Sequence, residues 1–162
     1  MTDTGSMASK LELREDRTCI AVSDASALVA GILEHAGFAS STALEVAEHL
    51  ADADLCGVES HGIVRVLQYV EQVRSGYLKA DGVVSVTRQQ HGGVEVDGGG
   101  GIGIPAMRIA TDEAAALALS HGVAVVPLRN VAHTGRLGAY AEQAAEKGCL
   151  VIIIGGSGRE NW

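Results

Sequence analysis

The stretch Val94-Glu95-Val96-Asp97-Gly98-Gly99-Gly100-Gly101-Ile102-Gly103 decides how the second half of this chain is read. Gly98 to Gly103 satisfies the spacing GxGxxG, follows a short β-rich run at Gly93 to Val96, and opens a helical pattern, as a dinucleotide-binding turn does. Two features weigh against that match. Four consecutive glycines satisfy almost any glycine pattern. The next apolar run, Val123 to Val126, ends in Pro127-Leu128-Arg129 with no carboxylate for a ribose hydroxyl. On these residues alone the Rossmann reading stays open.

Downstream, the pattern predicts a helix from about Pro105, at its first turn, to Ser120. A buried strand is expected at Val123 to Val126, then a helix over Leu137 to Lys147 ended by Gly148. Leu150 to Ile154 reads as the most apolar strand, one that should be buried on both faces. With Val83 to Val86 as a further short run, this alternation indicates an α/β layer structure. Upstream of a boundary near residue 80 the periodicity is helical. One helix is expected from Ser23, as cap, through Ala36 with Gly37 closing it, and a second from a Thr42/Glu45 capping box to about Leu55. The third is expected from Ser60 to Arg74. The chain thus divides into a flexible tail (1–16), a helical domain (17–80) and an α/β domain (81–162).

Composition bounds the function. With 47% hydrophobic residues the chain is globular, and 3% aromatic content with 21 glycines implies an aliphatic core with close backbones. A net charge of −8 without a basic patch argues against nucleic-acid binding. Cys19, Cys56 and Cys149 show no CxxC pairing, and the first sixteen residues contain no apolar core of a signal peptide. The longest apolar run is too short to span a bilayer, so a soluble cytoplasmic protein is expected.

The chemistry concentrates in Ser60-His61-Gly62-Ile63-Val64-Arg65-Val66-Leu67-Gln68-Tyr69. On a continuous helix His61, Arg65 and Tyr69 are i, i+4 neighbours, so an imidazole, a guanidinium and a phenol share one face. That face suits a small anion that also needs a proton. Ile63, Val66, Leu67 and Val70 would hold the opposite side to a core. Bland alternatives stand beside this: Ser60 as a helix cap, Arg65 paired with Glu59 or Glu71, Tyr69 as core edging. Ser60 and His61 would diverge on an α-helix and so form no nucleophile and base pair by themselves. A second polar loop, His133-Thr134-Gly135-Arg136, follows a strand, where α/β folds bind ligands, although a loop histidine bonded to backbone is equally ordinary. His61 and His133 lack a third ligand of recognisable spacing, so no metal is expected.

Together these residues resemble the malate/L-lactate dehydrogenase family that is distinct from the Rossmann-type lactate dehydrogenases, with sulfolactate dehydrogenase, ureidoglycolate dehydrogenase and cyclic-imine carboxylate reductase relatives. The matching pieces are Ala51-Asp52-Ala53-Asp54-Leu55 through Gly57-Val58-Glu59 to Ser60-His61-Gly62 and Arg65; Val96-Asp97-Gly98; and Arg129-Asn130 to His133, Gly135 and Ala139-Tyr140-Ala141. The resemblance implies an N-terminal half: a helical segment followed by part of a mixed, largely antiparallel sheet flanked by helices, with no Rossmann role for Gly98. It implies NADH- or NADPH-dependent interconversion of a 2-oxo acid (or cyclic imino acid) and a 2-hydroxy acid (or amino acid), in a homodimer. Arg65 would bind the carboxylate with Tyr69 assisting, His61 would exchange the proton with Ser60 supporting it, and His133 would line the reacting carbonyl. His133, Thr134, Gly135, Arg136, Leu137 and Ser157 would touch the cofactor. The alternative is a non-catalytic relative that acts only by associating with another subunit through an uncovered strand.

Overall fold

The computed structural model describes residues 18–89 and 92–156. They fall into two compact units divided between Asp81 and Gly82. In the first unit, α1 (Val22–His35) and α2 (Ser40–Leu55) pack on each other, a 3-10 turn covers Glu59–His61, and α3 (Arg65–Arg74) follows. Ala25, Val29 and Leu33, spaced by four, form the buried stripe of α1. In α2 the buried residues Ala43, Val46, Ala47, Leu50 and Ala53 are mostly small, which lets the two helices approach closely. Gly37 closes α1 in the left-handed region (φ +102°), with the Phe38 amide donating to the Leu33 carbonyl and the Phe38 ring buried.

The expected polar caps are not used. α1 and α2 begin after Ala21 and Ala39, extended residues without side-chain cap bonds, which places Ser23, Thr42 and Glu45 inside the helices. The third helix is also not continuous. Gly62 adopts an extended conformation (φ −85°, ψ −161°) and separates the 3-10 turn from α3, so His61, Arg65 and Tyr69 do not lie on one helical face. Val66 and Tyr69 are the buried residues of α3, whereas Leu67 is 68% exposed, so the apolar face is rotated from the expected one. Fully burying a ring of this size contributes about 2–3 kcal/mol to holding α3 in this orientation.

In the second unit, β1 (Ser85–Arg88), β2 (Val94–Gly101) and β3 (Leu128–Val131) form a sheet in the order β1-β2-β3, with α4 (Gly103–His121) between β2 and β3 and α5 (Leu137–Glu146) after β3. β1 and β2 are antiparallel, β2 and β3 parallel, so the sheet is mixed and the parallel crossover runs through α4. The expected α/β fold is borne out. Val96, Ala106 and Ala110 form its core, with Val84, Val86, Ile109, Val126, Leu128 and Val131 packed around them.

The glycine run is strand, not turn. A side chain at Gly98 would place its Cβ 2.1 Å from Val131 Cγ1, and one at Gly99 (φ +65°) would meet the Val83 carbonyl at 2.5 Å, so glycine here allows three backbones to close up. Asp97 fixes the register irregularity between Asp97 and Gly101: its carboxylate accepts from the Gly99 amide (2.8 Å) and the Asn130 side chain (3.0 Å) and pairs with Arg129 (2.6 Å). Val123 to Val126 is not a strand either. Pairing with β2 begins where the Pro127 carbonyl accepts from the Val96 amide, and Val123 and Val125 are 78% and 82% exposed. Leu150 to Ile154 likewise joins no ladder in the described sheet, and Leu150, Ile152 and Ile154 stand exposed where a doubly buried strand was expected.

Candidate active site

The first unit gathers Ser60, His61 and Arg65 through the end of α2. Gly57 (φ +73°) turns the chain, the Val58 amide donates to the Ala53 carbonyl (2.8 Å), and the His61 amide to the Val58 carbonyl (2.9 Å). In the tight turn that results, Ser60 Oγ and His61 Nδ1 lie 3.0 Å apart. This corrects the expectation that the two side chains diverge out of reach: a 3-10 backbone still sets neighbours about 120° apart, and the contact closes because Nδ1 is the ring nitrogen nearer the backbone, within reach of the short Ser60 side chain. The contact serves either tautomer: when the hydroxyl donates to Nδ1, the imidazole proton sits on Nε2. Partial burial, and then the Arg65 charge, push the His61 pKa down, so the ring is neutral at neutral pH.

Arg65 Nε donates to the Ser60 carbonyl (2.5 Å) and Nη1 to Gln68 Oε1 (2.6 Å), which fixes the plane of the half-buried guanidinium against the turn. Tyr69 is fully buried on the core side of α3, and that burial raises its pKa far above the ordinary phenol value.

In the second unit, residues 132–136 connect β3 to α5 and are tied down at both ends. The Ala132 amide donates to the Gly101 carbonyl (2.9 Å), the Gly103 amide to the His133 carbonyl (3.0 Å), and the buried Tyr140 hydroxyl to the Thr134 carbonyl (2.5 Å). A side chain at Gly103 would place its Cβ 2.7 Å from Thr134 Cγ2, so glycine at the start of α4 makes room for this loop. His133 Nδ1 accepts from the Gly135 amide at 3.3 Å, and Gly135 is buried with φ +72°. Arg136, only 8% exposed, donates both terminal nitrogens to the Glu142 carboxylate (2.9 and 2.8 Å), and this holds the Glu142 carboxyl below its usual range. Leu137 is half exposed at the first turn of α5.

The expected residues therefore form two local groups: Ser60, His61 and Arg65 over a buried Tyr69, and the contiguous segment from His133 to Leu137. Ser157 lies outside the described residues. Among the described residues no group of three or more His, Cys, Asp or Glu side chains is gathered for a metal ion, and no helix is long and apolar enough to cross a membrane.

Residues 20–159 match the profile of a family described as malate/L-lactate dehydrogenase. The chain belongs to the malate/L-lactate dehydrogenase family. It is 33% identical to malate dehydrogenase of Pyrococcus abyssi, a match covering 78% of this chain and 35% of that protein. It is also 33% identical to hydroxycarboxylate dehydrogenase B of Escherichia coli K12, over 76% of this chain and 34% of the relative. The solved structure of Δ1-piperideine-2-carboxylate reductase from Pseudomonas syringae overlays with a TM-score of 0.73 at 29% identity, covering 82% of this chain and 40% of that one. Malate dehydrogenase of Pyrococcus horikoshii OT3 overlays with a TM-score of 0.70 at 32% identity, over 78% and 36%. The chain spans about a third of the length of these curated relatives.

Several residues of this malate/L-lactate dehydrogenase family chain shape the two groups without having been given a role from sequence. Asp54 accepts the Ile63 amide (2.9 Å), and Tyr140 and Glu142 hold the 132–136 loop. Asp54 and Tyr140 sit inside quoted motifs, so their presence was visible; their partners, across a glycine or six residues away, were not.

Proposed function

We propose that this chain is the N-terminal portion of an NADH- or NADPH-dependent oxidoreductase that interconverts a 2-oxo acid, or a cyclic imino acid, with the corresponding 2-hydroxy acid or amino acid. The observation that carries the reading is the pairing of a plane-locked Arg65 with a neutral His61 bonded to Ser60. Arg65 binds the substrate carboxylate, with its orientation set before substrate arrives. Tyr69 assists from beneath by anchoring α3 in the core. His61 holds the proton that a carbonyl oxygen gains on reduction, and Ser60 selects the tautomer that presents it. His133, whose Nδ1 accepts from the Gly135 amide, is the second proposed proton-handling group.

Bound nicotinamide cofactor would supply or accept a hydride. The segment His133 to Leu137 fits such a group. It is tied to Gly101, Gly103 and Tyr140 by hydrogen bonds, it contains a glycine with positive φ, and it ends at the N-terminus of α5, where Arg136 makes no side-chain cap to the helix amides and the helix dipole favours an anion. The Arg136 guanidinium already chelates Glu142, so its part is to hold the loop. Ser157 completes the proposed cofactor set. A cytoplasmic homodimer belongs to the same reading.

The test is oxidation of NADH and NADPH with a panel of 2-oxo and cyclic imino acids, by this chain alone and supplemented with the C-terminal portion of a family relative. Turnover or saturable cofactor binding supports the reading; neither, in both arms, removes it. The exposed Leu150, Ile152 and Ile154 favour one second reading, a non-catalytic chain that works by association with another subunit. A monomer at every concentration in size-exclusion chromatography would count against that.

A further inference from the structure

The carboxylate of Asp54 fills a position that the reaction chemistry does not use. It sits in the last turn of α2, and Oδ2 accepts the Ile63 amide at 2.9 Å, nine residues further along the chain. Between these two residues lie the Gly57 turn, the Ser60–His61 pair and Gly62. The carboxylate lies flat over Gly62, where an added Cβ would fall 1.7 Å from Oδ1. Asp54 therefore reaches past the 3-10 turn and ties Ile63, the second residue after it, back to α2, closing the loop that carries His61. Arg65 is stitched to the same loop from the other side, through the Ser60 carbonyl.

We propose that Asp54 is the positioning residue of this site, holding the Ser60–His61 turn and Arg65 in a single fixed arrangement by its hydrogen bond to the Ile63 amide. This rests on the proposed function only for the use to which the arrangement is put. The arrangement itself is read out by His61.

The experiment follows the His61 ring proton of this chain by NMR across pH, assigned with His61→Gln, in the native protein and in Asp54→Ala, Asp54→Asn and Asp54→Glu. In Asp54→Ala the turn opens, His61 gains solvent and loses the nearby Arg65 charge, and its midpoint moves upward toward the ordinary value of about 6.5. Asp54→Asn keeps an acceptor of the same shape and leaves the midpoint near the native one. Asp54→Glu is one methylene too long for the space over Gly62 and moves it as alanine does, which decides the matter even where the alanine variant fails to fold. Pyruvate binding, followed in the same samples, weakens about tenfold in the alanine variant, the loss of one charge-assisted hydrogen bond. An unmoved His61 midpoint in the folded alanine and glutamate variants overturns the proposal, as does an asparagine variant that shifts it as far as alanine does. Failure of the native chain to bind pyruvate removes pyruvate as a ligand of this chain, not the panel-tested function, and leaves the His61 result to judge Asp54.

Discussion

Gly62 and Asp54 occupy one space, and stability should register it. Gly62→Ala must drive the Asp54 carboxylate away and break its bond to Ile63, at a cost of about 2–3 kcal/mol in chemical denaturation. His61 gives a pH signature with a definite sign. Its folded pKa lies below the unfolded value of about 6.5, so as pH falls the unfolded chain takes up the proton first. The contribution is intact above about pH 6.5 and is lost as pH drops from there toward the folded pKa. The native denaturation midpoint should fall between pH 7.5 and pH 5.5, roughly the window of that titration, and His61→Gln should flatten the fall. At this scale the sequence shows which residue types matter and conceals which way they face. Ser60, His61 and Arg65 were legible as a polar group because their chemistry is written in their identities. The break at Gly62 removes His61 from the helical face of Arg65, while Tyr69 is hidden for another reason: a helical period shows which residues share a face and not which of them a neighbour covers.

Helices were more legible than strands at the scale of elements, for a physical reason. A helix satisfies its own backbone, so α1, α2, α4 and α5 announce themselves through local periodicity. A strand depends on its neighbour. Val123 to Val126 has the better composition, yet β3 forms at Leu128–Val131 because that is where β2 offers partners. The glycines of β2 were misleading for the same reason, since the close contact with Val131 and Val83 that requires them is distant in sequence. Loop 132–136 is an element held by few bonds, and it should loosen when one is cut. Tyr140→Phe keeps the buried ring and removes the bond to the Thr134 carbonyl, which should cost about 1–2 kcal/mol by urea titration and speed amide exchange across residues 132–136.

The family and its mixed α/β fold were legible for the molecule as a whole because several motifs recur in order, each now with a visible cause: Asp97, Arg129 and Asn130 lock the strand irregularity, and Asp54 and Gly62 lock the turn. The fate of the apolar run at Leu150 to Ile154 was not legible, because burial of a strand is set by what packs on it. With Leu150, Ile152 and Ile154 exposed, the chain should self-associate with rising concentration in sedimentation velocity, and Ile152→Lys should reduce this without lowering thermal stability. The division between Asp81 and Gly82 also has a calorimetric meaning. One midpoint temperature describes two compact units only when they melt together. Scanning calorimetry of Gly62→Ala and Gly103→Ala reads this directly: an endotherm moved by one substitution and not by the other belongs to a unit that melts by itself, and a single endotherm lowered by both belongs to units that melt as one.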